Sequence, residues 1–203
     1  MKKIVITGGL GYIGTELCKI YSGYSWNDRI TIIDNRFVSE RVNQIRNWNM
    51  DFVHGDILDK NLINKYCKDA DIVHHLAGIT DVPRVKSESN LENDNKIKLV
   101  AEEGTQNILN SISDKCKIIL PSTHVVYEGI ENVEKNILED KETKPVLSYA
   151  KSKVVNEEQL KKSGKNYIIL RLGSVYGYST DTTRIDIMPN LFSKIASQNG
   201  TLK

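Results

Sequence analysis

Short apolar runs alternate with longer segments of helical period along this chain. Lys3 to Thr7 is a β-branched run that stops at two glycines, which predicts a buried strand. Tyr12 to Tyr21 follows as a helix, with Ile13, Leu17 and Ile20 at helical spacing. Ile30 to Asp34 reads as a second strand, and Asp51 to His54 as a third after a polar helical stretch around Val42 to Asn47. Asp71 to Leu76 is a fourth, preceded by a short helix near Asn61 to Cys67. From Leu91 to Ile112, the residues Ile97, Val100, Ala101, Gly104, Ile108 and Ile112 fall near one face of a long helix. Lys117 to Leu120 is a fifth strand, Tyr149 to Lys162 a helix, Tyr167 to Leu172 a sixth strand and Met188 to Ala196 a last helix. The acidic stretch Gly129 to Pro145 has no period and reads as a surface loop. A rhythm of this kind predicts an α/β fold, a doubly wound parallel sheet with helices on both faces.

Composition narrows the picture by exclusion. A net charge of +2 over 203 residues is too small and dispersed for a nucleic-acid footprint, so no nucleic-acid partner is expected. Cys18, Cys67 and Cys116 are far apart and odd in number, with no CxxC pair. They predict buried thiols in a reducing cytoplasm rather than disulfides or a zinc site. No apolar stretch is long enough for a membrane span or a secretory leader, so no membrane partner is expected. His54, His74, His75 and His124 raise the question of a metal. Strand neighbours such as His74 and His75 point to opposite faces, so packing roles are expected and no metal.

The candidate chemistry begins at Gly8-Gly9-Leu10-Gly11-Tyr12-Ile13-Gly14, directly after the first strand. A pyrophosphate needs close backbone approach and a row of N–H donors, which a helix N-terminus supplies. Gly8, Gly11 and Gly14 suit the tight turn, the approach and the helix–strand packing respectively. Asp34 ends the next strand, twenty residues beyond Gly14, where a carboxylate accepts from ribose hydroxyls and repels a 2′-phosphate. The expected cofactor is therefore NAD, with NADP disfavoured and Arg36 partly offsetting the preference. Asp56 follows the third strand and has two readings, an adenine contact or a cap for the helix beginning near Leu58.

Tyr149 and Lys153 stand four apart and share one helix face. A tyrosine, with an unperturbed pKa near ~10, becomes a useful base only beside a positive charge such as an ammonium. Thr123 follows the fifth strand, at the carboxyl end where doubly wound sheets bind ligands. It is placed to bond a reacting oxygen, or else to cap a turn.

Taken together, Thr7-Gly-Gly-Leu-Gly-Tyr-Ile-Gly14, Asp34-Asn35, His75-Leu76-Ala77-Gly78, Ser122-Thr123 with Val126-Tyr127, Tyr149-Ala-Lys-Ser-Lys153 and Arg171 to Gly177 resemble the extended short-chain dehydrogenase/reductases. Within these the chain is most similar to the nucleotide-sugar epimerases and dehydratases, in register from Lys2 to about Ala196. The resemblance implies a Rossmann fold holding NAD through Gly8, Gly11, Tyr12, Ile13, Gly14, Asp34, Asn35, Asp56, Ile57, Leu76, Ala77, Gly78, Tyr149 and Lys153. It implies Thr123, Tyr149 and Lys153 as catalytic residues, with Thr123 and Ser174 at a nucleotide-sugar substrate. It also implies a homodimer through the helices near 91–112 and 148–162.

Departures from the pattern refine the expectation. Sugar 4,6-dehydratases carry Asp-Glu after the catalytic Thr, and related decarboxylases a Glu at the second position; here His124-Val125 stands there. A valine moves no proton, so an epimerase acting through a transient keto-sugar is the expected activity. The alternatives are a keto-sugar reductase consuming NAD(P)H, and a non-catalytic NAD(P)-binding sensor or scaffold. Ser174 stands where such enzymes often have Asn, Ala101 where Asn is usual, and Tyr178 where proline is usual. Relatives of this kind continue for roughly another hundred residues as a smaller substrate domain. Residues 1–177 are thus expected to be the dinucleotide-binding domain and 178–203 the start of a substrate region, in a fragment or a natural short form.

Overall fold

The computed structural model describes residues 1–24, 27–80, 90–179, 185 and 187–201. Its elements run β1 (Lys3–Thr7), α1 (Tyr12–Gly23), β2 (Arg29–Asp34), α2 (Ser39–Asn47), β3 (Asp51–His54), α3 (Lys60–Cys67) and β4 (Ile72–His75). Then follow α4 (Leu91–Ser111), β5 (Lys117–Thr123), a 3-10 turn (His124–Tyr127), α5 (Ser148–Lys162), β6 (Asn166–Leu172) and α6 (Met188–Ser197). The six strands form one parallel sheet in the order β3-β2-β1-β4-β5-β6. The order reverses between β1 and β4, and a crevice at that switch point is where such sheets bind ligands.

Strand alternation divides the core between the two faces. Ile4, Ile6, Ile30 and Ile32 pack with Cys18 of α1 and with Val42 and Ile45 of α2. Val5, Ile33, Val73, Ile118 and Leu120 pack with Ile63 and Cys67 of α3, Ile108 of α4 and Leu160 of α5. All three cysteines are buried free thiols, as expected. No helix among the described residues is long and apolar enough to cross a membrane.

The expected elements are present, with three differences that matter. Helix α1 buries Gly14, Thr15 and Cys18 rather than the predicted Ile13–Leu17–Ile20 stripe, leaving Ile20 56% exposed. The reason is steric: α1 meets the turn before it through Gly14, and that contact sets the rotation of the whole helix. Strand β5 runs on through Pro121 to Thr123 instead of stopping at Leu120. The β4 ladder has ended by then at Ile119, so beyond it β5 pairs only with β6 and the proline interrupts no second ladder. The 3-10 turn after β5 was not predicted at all; the Thr123 hydroxyl caps it, accepting from the Val125 N–H at 3.3 Å.

Candidate active site

The glycine turn is built by contacts that leave no room for side chains. Gly8 has φ +72° and donates its N–H to the Ile33 carbonyl at 2.8 Å. A Cβ on it would lie 2.6 Å from the Ala77 nitrogen and 2.8 Å from the Ala77 Cα. A Cβ on Gly14 would collide with the Gly8 carbonyl oxygen and sit 2.7 Å from the Gly9 Cα. Gly11 is the N-cap of α1, and that helix starts with no side-chain cap and no acid in its first turn. Its first N–H groups and the positive end of its dipole are thus suited to an anion.

Asp34 locks this turn to the end of β2. Its carboxylate accepts from the Leu10 N–H and the Arg36 N–H, both at 2.9 Å, and its side chain is 5% exposed. The Arg36 Nε lies 3.7 Å away, so the predicted partial offset of its charge has a structural counterpart. Asn35 Nδ2 donates to Asp56 Oδ2 at 2.9 Å, while Asp56 Oδ1 accepts from the Leu58 N–H at 2.9 Å. The cap of α3 is Asp59, accepting from Asn61 and Leu62, so the helix-cap reading of Asp56 is corrected: it closes the turn one step earlier. The Ile57 side chain is committed to the core, 5% exposed and against Gly104 of α4, which leaves only its main chain for a cofactor. Leu76 and Ala77 are brought to the turn by N–H bonds to the Thr7 carbonyl (3.0 Å) and the Thr7 hydroxyl (3.3 Å); Gly78 follows, exposed.

Tyr12 behaves differently from the rest of the turn. Its hydroxyl donates to the Gly177 carbonyl at 2.5 Å and accepts from Asn190 Nδ2 at 3.1 Å, while Asn190 Oδ1 accepts from the Gly177 N–H at 2.9 Å. The Tyr12 side chain thus ties the glycine turn to Gly177 and to Asn190 of α6, which leaves its main chain for a bound anion. Nothing in the sequence marks this pairing of residues so far apart.

At the neighbouring strand end, Tyr149 and Lys153 lie one turn apart on α5, with the Lys153 Nζ 5.8 Å from the Tyr149 ring centroid. Lys153 is 9% exposed and donates to the Pro121 carbonyl at 2.9 Å, which fastens the Tyr149 helix to β5 two residues before Thr123. Thr123 is 8% exposed. Burial pushes the Lys153 ammonium down to about 8, and the Glu157 charge resists that fall. Ser174 lies exposed in the irregular segment after β6. His124, also exposed, shares a hydrogen bond with the Leu172 carbonyl at 3.2 Å, and Val125 is half-buried.

His74 and His75 do face opposite ways. His74 meets the Tyr21 hydroxyl of α1 at 2.8 Å, whereas His75 is held between the Thr7 and Thr105 hydroxyls, both at 3.0 Å. Burial pushes His74 down to about 4; burial and then the Lys153 charge push His75 down to about 3. Both rings are neutral in the fold, while in the unfolded chain they ionise near ~6.5. Between those values the unfolded state binds more protons, so stability falls as pH drops from about 6.5, by up to about 1.4 kcal/mol per unit for each ring. Urea midpoints between neutral and mildly acid pH should show this slope, and His75→Gln should flatten it by about half. An unchanged slope in that variant would contradict the assignment. Among the described residues no group of His, Cys, Asp and Glu is arranged to hold a metal ion.

A buried network that the sequence reading missed lies behind Lys153. Glu157, one helical turn further along α5, accepts from Ser122 of β5 and is paired with Arg171 of β6. The spacing of Lys153 and Glu157 was a usable signal for a shared buried face.

A doubly wound sheet with an uncapped glycine turn at its switch point and a Tyr–Lys pair beside it defines a dinucleotide-binding α/β protein. The chain belongs to the NAD dependent epimerase/dehydratase family, whose model matches residues 4–202. It is 32% identical over 132 residues to the UDP-N-acetyl-alpha-D-glucosaminuronate decarboxylase of Bacillus cytotoxicus, covering 62% of this chain and 38% of that protein. It is 31% identical over 153 residues to the CDP-paratose 2-epimerase of Salmonella typhi, covering 70% of this chain and 42% of that one. Among solved structures, the Bordetella bronchiseptica enzyme WbmH in complex with NAD+ superposes with a TM-score of 0.77 at 25% identity, over 99% of this chain and 64% of that one. The UDP-N-acetylglucosamine 4-epimerase of Methanobrevibacter ruminantium, in complex with UDP-N-acetylmuramic acid, gives 0.77 at 27% identity over 97% and 63%. The chain thus spans less than half the length of the two curated relatives.

Proposed function

We propose that this chain carries the cofactor site and proton-transfer residues of an NAD-dependent epimerase acting on a nucleotide sugar. The observation that carries the reading is the Tyr149–Lys153 pair fastened to Pro121 at the carboxyl end of β5, the same end of the parallel sheet that carries the glycine turn. The turn fits a dinucleotide: its Gly8 and Gly14 contacts hold backbone N–H groups where Cβ atoms would intrude, and Asp34 is buried and fixed by two main-chain donors. Bound there, NAD supplies the two-electron acceptor and donor that carries a sugar alcohol to a transient keto-sugar and back. Tyr149 takes and returns the hydroxyl proton, Lys153 stabilises the phenolate, and Thr123 holds the sugar oxygen.

Val125 argues against elimination of water or decarboxylation by the same site, since no group that moves a proton stands there. Similarity to a decarboxylase and to a Dictyostelium discoideum dTDP-D-glucose 4,6-dehydratase reflects the shared family rather than that acid pair. In the same proposal residues 1–177 form the cofactor domain, those from 178 onward open the substrate side with Ser174 at their edge, and two copies pair through α4 and α5 in the cytoplasm. Thermal shift with NAD, NADP and a panel of UDP-, GDP- and dTDP-sugars tests the reading. NAD should stabilise most, with a further rise for one nucleotide-sugar class. Stabilisation by NAD without any response to sugars would favour a cofactor-binding sensor instead.

A further inference from the structure

Four side chains with no part in the proposed proton transfer form one partly buried chain of hydrogen bonds, with Ser122 and Glu157 at its buried end. The Ser122 hydroxyl donates to Glu157 Oε1 at 2.5 Å. Arg171 donates to the same oxygen through Nε at 3.0 Å and to Oε2 through Nη2 at 2.6 Å. Its Nη1 donates to the Tyr127 hydroxyl and, at 2.9 Å, to the Glu139 carbonyl of the long loop. The Glu157 side chain is 2% exposed and that of Arg171 15%.

Their placement is more telling than their number. Ser122 directly precedes Thr123 and stands in register with Arg171 across the β5–β6 pair. Tyr127 ends the 3-10 turn that Thr123 caps. Glu157 shares the buried face of α5 with Lys153. Ser122 and Glu157 therefore adjoin residues of the proposed chemistry, and Arg171 and Tyr127 stand one contact further out. A buried ion pair adds little stability over an apolar replacement of the same volume, so stability alone is a poor account of it.

We propose that Glu157 and Arg171 are positioning residues of this site: the Glu157 carboxylate is the anion that keeps Lys153 an ammonium beside Tyr149, and Arg171 with Ser122 fixes that carboxylate. The inference rests on Tyr149 being the base. Among the described residues, Lys153 bonds the Pro121 carbonyl of β5, lies near the Tyr149 ring, shares the buried face of α5 with Glu157 one turn on, and interacts electrostatically with Glu157 and with neutral His75 of β4. Glu157 is the anion of that set. Its burial works against ionisation, yet hydrogen bonds from Arg171 and Ser122, with the Arg171 charge, outweigh this and hold the carboxyl below its usual range. Without that charge, burial of Lys153 goes unopposed, the ammonium is lost at lower pH, and the phenolate loses its partner.

The test is an ultraviolet difference titration of tyrosine ionisation in the NAD-bound protein. Wild type should show one early tyrosinate step that Tyr149→Phe lacks. Glu157→Gln should move that step upward by about one pH unit and lower kcat at neutral pH by about tenfold, with KM changed less than about twofold. Glu157→Asp keeps the charge and should restore the step. If Glu157→Gln leaves Arg171 unpaired and does not fold, Glu157→Gln with Arg171→Gln replaces the ion pair by neutral partners and carries the same expectation. A folded variant with its step unmoved overturns the inference. Absence of the early step in wild type would overturn the role of Tyr149 itself.

Discussion

Replacing Tyr149 by phenylalanine is expected to lower turnover by about a thousandfold, the range in which general acid–base groups act. The substitution keeps the ring beside Lys153 and removes only the hydroxyl. The Lys153 bond to the Pro121 carbonyl does not involve that hydroxyl, so α5 stays docked on β5. The glycine turn and Asp34 are on other elements and are untouched. NAD affinity should therefore change less than about tenfold, the scale of one lost hydrogen bond. Single-turnover kinetics with a matched calorimetric titration separate the two effects. Retained turnover would remove Tyr149 from the chemistry, while lost NAD binding would make it a cofactor contact first.

The second large effect is expected at Gly8. Alanine there must adopt φ +72° and place its Cβ 2.6 Å from the Ala77 nitrogen. Neither side can yield easily. Gly8 is tied to β2 through the Ile33 carbonyl, and the Leu76–Ala77 segment is tied to Thr7 at both residues. Strained backbone and overpacking together should destabilise the fold by about 3 kcal/mol. The distorted turn should also lose NAD binding by more than about tenfold, because the α1 N–H row moves with it. Gly23→Ala is the control, since no atom of the described residues lies within 4 Å of a Cβ at that position and its φ is ordinary. Urea midpoints of the two variants check this: a Gly8→Ala midpoint equal to wild type would refute the close approach.

Much of this was legible because the strands announce themselves. β1, β2 and β6 are β-branched or apolar runs, and β1 was delimited at Lys3 and Thr7 to the residue. The glycine turn, Asp34 and the Tyr149–Lys153 spacing were readable because each depends on local geometry. What escaped depends on contacts between distant segments. The rotation of α1 is decided by Gly14 against Gly8 and Gly9, a contact that an apolar-periodicity count ignores because glycine contributes nothing to it. Asp56 and Asp59 are both plausible caps by type, and only the start of α3 at Lys60 chooses between them. The Lys153–Glu157 spacing marks a shared helix face, but only the packing of α5 on the paired β5 and β6 brings Arg171 to Glu157. Tyr12 reaches Asn190 only after the sheet has brought the end of β6 back to the turn.

In the proposed function, the Thr123–Tyr149–Lys153 site oxidises and re-reduces one nucleotide sugar without net use of the cofactor. Proton NMR of a nucleotide-sugar panel incubated with the protein and NAD, with absorbance at the NADH band followed in parallel, tests it most directly. A second epimer should accumulate to equilibrium while the NADH band stays flat. Stoichiometric loss of added NADH with reduction of a keto-sugar, or no change in any sugar despite bound NAD, would contradict it.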